Sequence, residues 1–258
     1  MIQLFNTVLY QPLLNLLVYL YNIVPGNDIG VAIIILTVLI KLVLYPFSIK
    51  SLKSQKTLQD LQPKIDAIKA QYKDQKDKLG AEMMALYKRE KVSPFSSCLP
   101  LLIQFPFLIA VYQVFRTGLS NGSLDLLYPF ISNPGEINAI AFGFLDLSKP
   151  QVVLAVLAGL AQYIQAKMLI SKKPEVKSLG SKDESMMTIM NKQMTFLMPI
   201  MTVIIGVSLP GGLVLYWFVV TLLTVLQQFI TFKKKNKNSG QGEIIDRPQN
   251  KNITNTTT

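Results

Sequence analysis

The sequence predicts an all-α polytopic membrane protein with five transmembrane helices, an interfacial N-terminal helix and a cytoplasmic two-helix hairpin. Three observations carry that expectation. Half of the 258 residues are apolar, and several apolar runs reach the length that spans a bilayer. The 26 Lys and Arg residues outnumber the 15 Asp and Glu residues, and the excess is unevenly placed. One strongly basic stretch, residues 51–92, carries apolar residues at helical spacing.

Residues 4–23 are apolar but interrupted by Asn6, Gln11, Pro12 and Asn15, and they stop at Pro25-Gly26. The pattern suits a helix lying in the membrane interface better than a first span. Residues 1–28 therefore form an outer-face N-terminal segment. No basic stretch or small-residue cleavage site marks this start as a cleaved signal. The core, residues 29–232, holds spans at about 29–49, 96–117, 151–170, 194–209 and 212–232. Leu209-Pro210-Gly211-Gly212 is the tight turn between the last two.

Charge placement orients the chain. Residues 1–28 contain no Lys or Arg, and 118–150 contain only Lys149. Residues 50–93 contain eleven, 171–193 five, and the tail from 233 six. The positive-inside rule puts the N-terminus outside and the C-terminus in the cytoplasm, and five spans give the same parity. The expected location is a bacterial cytoplasmic (inner) membrane.

In the hairpin 51–92, Leu58, Leu61, Ile65, Ile68 and Tyr72 form one apolar stripe. Leu79, Met83, Leu86 and Tyr87 form the other, with a polar turn between them. Pro63 kinks or restarts the first arm. The basic surface suits anionic lipid, with a partner as the alternative. Residues 233–258 are basic and then low in complexity, as in a disordered tail.

Polar residues inside the spans are the candidates for function. Thr37, Lys41, Tyr45 and Ser48 line one face of the first span. Trp217, Thr221, Thr224 and Gln228 line one face of the last. Gln104 lies in the second span, and Gln162 and Gln165 in the third. Each stripe alone could be hydrogen-bond glue between helices; together with a cation they suggest a wet cavity. Lys41 lies nine residues before Lys50, about 13 Å along a helix, too far for its stem to snorkel comfortably. No Asp or Glu occurs inside the five spans, so an intramembrane ion pair has no partner there. A water-filled cavity open to the cytoplasm remains for Lys41.

The same inventory weighs against other classes. The chain has no His and one Cys, Cys98. No metal site, nucleotide loop, cofactor or protease constellation is expected, and the protein is not expected to be an enzyme. The missing intramembrane carboxylates weigh against an ion-coupled transporter. A small pore or transporter using the same polar cavity stands as the alternative function.

Seven blocks, "TVLIKLVLYP", "LQPKIDAI", "EMMALYKREKVSP", "CLPLLIQFPFLIAVY", "FLDLSKP", "FLMPIM" and "LPGGLVLYWFVVTLLTVLQQ", resemble the YidC/Oxa/Alb membrane insertase family in their usual order. The resemblance covers roughly residues 10–232 and lacks the large periplasmic domain of some members. It implies a monomeric five-helix core around a hydrophilic groove open to the cytoplasm and to lipid. It implies insertion of nascent membrane proteins, alone or with the Sec translocon. Lys41 matches the family's groove cation, usually Arg, and Thr37 the threonine one turn earlier. Tyr216 and Trp217 match an aromatic pair that contacts substrates, and Gln165 a glutamine of the third helix. The hairpin is implicated in substrate and translocon contact, and the loop 171–193 and basic tail in ribosome binding. Lys in place of Arg keeps the charge and loses the planar bidentate fork.

Overall fold

The computed structural model describes residues 2–73, 75–93, 99–117, 124–169 and 193–242. The chain opens with α1 (Ile2–Phe5), a π-helical turn (Asn6–Tyr10) and α2 (Gln11–Ile23). Next come α3 (Ile29–Val43), α4 (Tyr45–Asp60), α5 (Gln62–Gln71), α6 (Lys76–Arg89) and α7 (Leu99–Thr117). A short 3-10 turn (Leu124–Leu126) leads to β1 (Ile140–Ala141) and β2 (Leu145–Asp146). The chain then forms α8 (Val152–Leu169), a second π-helical turn (Gln193–Leu197), α9 (Met198–Gly206) and α10 (Gly211–Gly242).

Two of these helices, Val152–Leu169 and Gly211–Phe232, are long and apolar enough to cross a membrane. The bent pair α3 and α4 makes a third if counted as one span, and Thr195–Gly206 is a shorter apolar helix. Over the expected span 29–49 the helix is not continuous. The helix breaks at Leu44, and α4 leaves at 69°. Pro46 explains the bend: it has no N–H to give the carbonyl of Leu42, and its ring crowds the preceding turn. At the other end of the chain, helix continues to Gly242, past the expected boundary at 232. Residues 171–192 and 243–258, and with them most of the expected ribosome-binding loop and the end of the tail, lie outside the described residues.

One apolar core joins α2, α3, α7, α8 and α10. Helix α10 packs against α8 and α3, α9 against α8, and α2 against α3. Small residues set the closest approaches. A Cβ on Gly159 would come within 2.5 Å of Val203 Cγ2, and one on Gly206 within 2.9 Å of Ala155 Cβ. Such contacts let backbones approach where lipid offers no hydrophobic drive. A Cβ on Gly212 would meet the Phe115 ring at 2.7 Å.

The hairpin has its own seam. Leu61, Ile65, Leu86 and Tyr87 are buried together, flanked by Leu58, Ile68, Met83 and Val92. Burying each large side chain from water is worth about 1.5–3 kcal/mol, so the seam holds α5 on α6. Pro63 lies in the first turn of α5, where its missing N–H costs nothing. Lys64 Nζ and Glu90 Oε1 lie 2.7 Å apart and tie the two arms. That contact holds the Glu90 carboxyl below its ordinary range.

Candidate functional site

Lys41 sits in the last turn of α3, where the helix carbonyls favour a cation. Its Nζ donates to Thr224 Oγ1 of α10 at 2.7 Å. Thr224 in turn donates to the Val220 carbonyl at 2.7 Å. The cation is therefore met by a hydroxyl whose own proton is engaged along its helix, leaving a lone pair for the ammonium. Among the described residues no carboxylate pairs with Lys41.

The seam continues past the bend. Ser48 Oγ of α4 donates to Gln227 Oε1 of α10 at 2.9 Å. The neighbouring Gln228 is fully buried, and its amide meets no protein partner among the described residues. Two further contacts lie on other helix pairs. Gln104 Nε2 of α7 donates to the hydroxyl of Tyr216 of α10. Thr202 Oγ1 of α9 contacts Gln162 Oε1 of α8 and lies 3.0 Å from the Met198 carbonyl.

The expected residues thus divide. Lys41 with Thr224, and Gln104 with Tyr216, are brought together directly. Thr37 is fully buried and bonds only its own helix, at 2.6 Å to the Ile33 carbonyl. Thr221 does the same at 2.8 Å to the Trp217 carbonyl. Of the aromatic pair, Tyr216 is buried in the core, whereas Trp217 is half-buried. Gln165 is half-buried on α8. Sequence reasoning passed over Thr202 and Gln227. Thr202 had a signal, as the one hydroxyl in an otherwise apolar helix. Gln227 had less, being next to the glutamine that fits the stripe.

At the opposite end of α3 the chain closes over itself. Asn15 Oδ1 accepts from Tyr128 N at 2.6 Å, and its Nδ2 donates to the Leu126 carbonyl at 3.1 Å. Gln11 and Asn22 donate to the carbonyls of Leu126 and Ser132. The Asp28 carboxylate caps α3 through Val31 N at 3.0 Å and also accepts from Phe142 N. The N–H groups of Gly211 and Gly212 donate to the carbonyls of Lys149 and Leu147 at 2.9 and 3.0 Å. Residues 124–151 are thereby stitched to the starts of α3 and α10 and to one face of α2.

No group of three or more His, Cys, Asp or Glu that could hold a metal ion occurs among the described residues.

A family model described as "60Kd inner membrane protein" matches residues 19–238. The chain belongs to the YidC/Oxa/Alb family. It is 34% identical over 228 residues to the membrane protein insertase YidC of Fusobacterium nucleatum, covering 88% of this chain and 98% of that one. To the YidC insertase of Clostridium tetani it is 36% identical over 216 residues, covering 83% and 86%. The YidC insertase of Methylobacillus flagellatus is 36% identical over 224 residues, which are 86% of this chain and 35% of that longer one. The YidC/Oxa/Alb match spans every helix from α3 to α9 and α10 as far as residue 238, and so takes in Lys41, Thr224 and the hairpin.

Proposed function

We propose that this protein is a membrane protein insertase and chaperone. It receives nascent hydrophobic segments from the cytoplasm and moves them, with short polar flanks, into the bilayer. The observation that carries the reading is the contact between Lys41 and Thr224: a cation inside an apolar bundle, held by a hydroxyl with no carboxylate among the described residues to neutralise it. Such a charge attracts an acidic or polar flank and releases it, where an ion pair would compete. The family relationship to named insertases supports the same reading.

In this account five spans surround a groove open to the cytoplasm, with Lys41, Gln104, Gln162, Gln165, Trp217 and Thr224 along it and Thr37, Thr221 and Tyr216 buried behind them. The polar flank enters from the basic hairpin and rests near Lys41, while the apolar part passes Trp217 into lipid. The groove shortens the hydrocarbon path of the flank, so its desolvation cost falls. The membrane potential assists an acidic flank moving outward by about 2.3 kcal/mol per charge per 100 mV. The stitched outer segment 124–151 supports access from one side. The N-terminus lies outside, with α2 near the outer interface, and the C-terminus lies in the cytoplasm. The partners are nascent chains, the Sec translocon, anionic lipids, and the ribosome through the loop 171–193 and tail; the working unit is a monomer. Binding and release need no cofactor and no covalent step.

The test is reconstitution of the purified protein into liposomes with a small single-span substrate carrying a short translocated flank. Protease-protected flank should appear only with the protein present. Equal protection in empty liposomes would overturn the reading.

A further inference from the structure

The outer segment carries a feature that flank transfer does not use. In the hairpin β1–β2 the tip reads Ala141-Phe142-Gly143-Phe144, with φ of 54° at Phe142 and 79° at Gly143. The left-handed region costs a bulky side chain about 1–2 kcal/mol, and Asn, Asp or Gly usually occupies it. An aromatic lies on each side of Gly143. Phe144 is 80% exposed, as is Phe130, which stacks on Tyr128 with ring centroids 5.5 Å apart. Phe142, Ile140 and Leu126 are exposed as well.

The tip is not free to fold these groups inward. Phe142 N is held by Asp28, Leu147 N by the Ala139 carbonyl, and Gly30 is so close that a Cβ there would come within 2.6 Å of Ala141 Cβ. These bonds, with those of Gly211 and Gly212 to the carbonyls of Lys149 and Leu147, fix the hairpin level with the first residues of α3 and α10, and α10 is long and apolar enough to cross a membrane. Its one cation, Lys149, lies 3.0 Å from Asp146 and is locally neutralised. A rigid, uncharged, aromatic tip at the end of membrane helices matches the boundary between headgroups and acyl chains.

We propose that Phe144, with Phe130, anchors residues 124–151 in the lipid interface of the outer leaflet. The anchor holds the outer end of the bundle at a fixed depth and is independent of what the protein inserts. The occupant is phospholipid, not a second protein, because the exposed aromatics sit beside the starts of α3 and α10, at the end of a helix long and apolar enough to cross a membrane.

The experiment places Trp at the tip, Phe144→Trp in a Trp217→Phe background, in nanodiscs of phosphatidylcholine brominated near the glycerol end of the acyl chains. Lys78→Trp, on the exposed face of α6, is the aqueous reference. Emission from position 144 should be blue-shifted, roughly halved by the brominated lipid and shielded from iodide, with the reference unaffected. As a second measurement that leaves Trp217 intact, a nitroxide on Phe144→Cys in a Cys98→Ser background should collide more with oxygen than with a water-soluble nickel complex. Iodide access and preferred nickel collision at position 144 would overturn the anchor and assign the tip to water or a protein partner. Neither result bears on insertion activity, so the anchor and the insertase reading fail separately.

Discussion

Lys41 Nζ lies 2.7 Å from Thr224 Oγ1, and this contact joins the first long helix of the core to the last across 183 positions of sequence. Its removal should be felt in stability as well as in function. Thr224→Val deletes the acceptor and leaves the ammonium without a protein partner. Hydrogen bonds to charged groups contribute about 1.5–3 kcal/mol, and the variant should lose an amount in that range. Unfolding of the purified protein in mixed detergent measures it. A double-mutant cycle with Lys41→Met should give coupling of about 0.5–3 kcal/mol; additivity would mean the contact is not made.

Gly159 and Gly212 set helix approaches that no side chain permits. Gly159→Ala drives a methyl to 2.5 Å from Val203 Cγ2 and 3.1 Å from the Pro199 carbonyl, and Gly212→Ala one to 2.7 Å from the Phe115 ring. Each should destabilise by about 1–3 kcal/mol, seen as a lower midpoint of thermal inactivation. Pairing Gly159→Ala with Val203→Ala should restore part of the loss, whereas Phe115→Ala should not rescue Gly159→Ala.

Asn15 joins α2 to the segment 124–151 through Tyr128 N and the Leu126 carbonyl. Asn15→Leu leaves Tyr128 N unpaired, costing about 1–3 kcal/mol if no water replaces the amide, and leaves the Leu126 carbonyl with Gln11 as its side-chain donor. Protease cleavage within 124–151 should accelerate, while the hairpin seam of Leu61, Ile65, Leu86 and Tyr87 stays intact. Equal acceleration at both sites would mean global unfolding instead.

Asp146 is held down to about 2 from an ordinary 3.8, first by the Ser148 hydroxyl, then by the contact with Lys149 and the Ser148 N–H. A depressed carboxyl stabilises the folded state above its unfolded pKa and loses that contribution as pH falls through the folded one. The turn at Asp146 should therefore persist through neutral and mildly acid pH and loosen only between about pH 4 and pH 2. Carboxyl chemical shifts of labelled Asp should show it ionised below the other aspartates. Ser148→Ala should raise its pKa more than Lys149→Ala does.

The helical, membrane-type character of the chain was legible in the sequence because apolar length and periodicity mark helices wherever they pack. The hairpin stripe of Leu58, Leu61, Ile65 and Ile68 meets Leu86 and Tyr87 as the spacing implies. The bend at Leu44 was legible only from Pro46, which hydropathy averages away. Gln11, Asn15 and Asn22 appeared as interruptions of an apolar run. They are bonds to a segment over 100 residues on, and no local pattern announces such a partner. Lys41 stood out because a lone charge in an apolar run has a cost, but its acceptor was one of several hydroxyls on α10. Tyr216 came only through the family resemblance, and its hydroxyl points into the core toward Gln104.

The central claim is that the charge of Lys41 receives the flank. It is tested most directly by measuring insertion of matched substrates, one with an acidic translocated flank and one with a neutral flank, into liposomes holding wild type, Lys41→Arg or Lys41→Ala. The account predicts that Lys41→Arg keeps both activities. Lys41→Ala should lose insertion of the acidic substrate about tenfold, a difference of about 1.4 kcal/mol, with a smaller effect on the neutral one. Undiminished insertion of the acidic substrate by folded Lys41→Ala would contradict it.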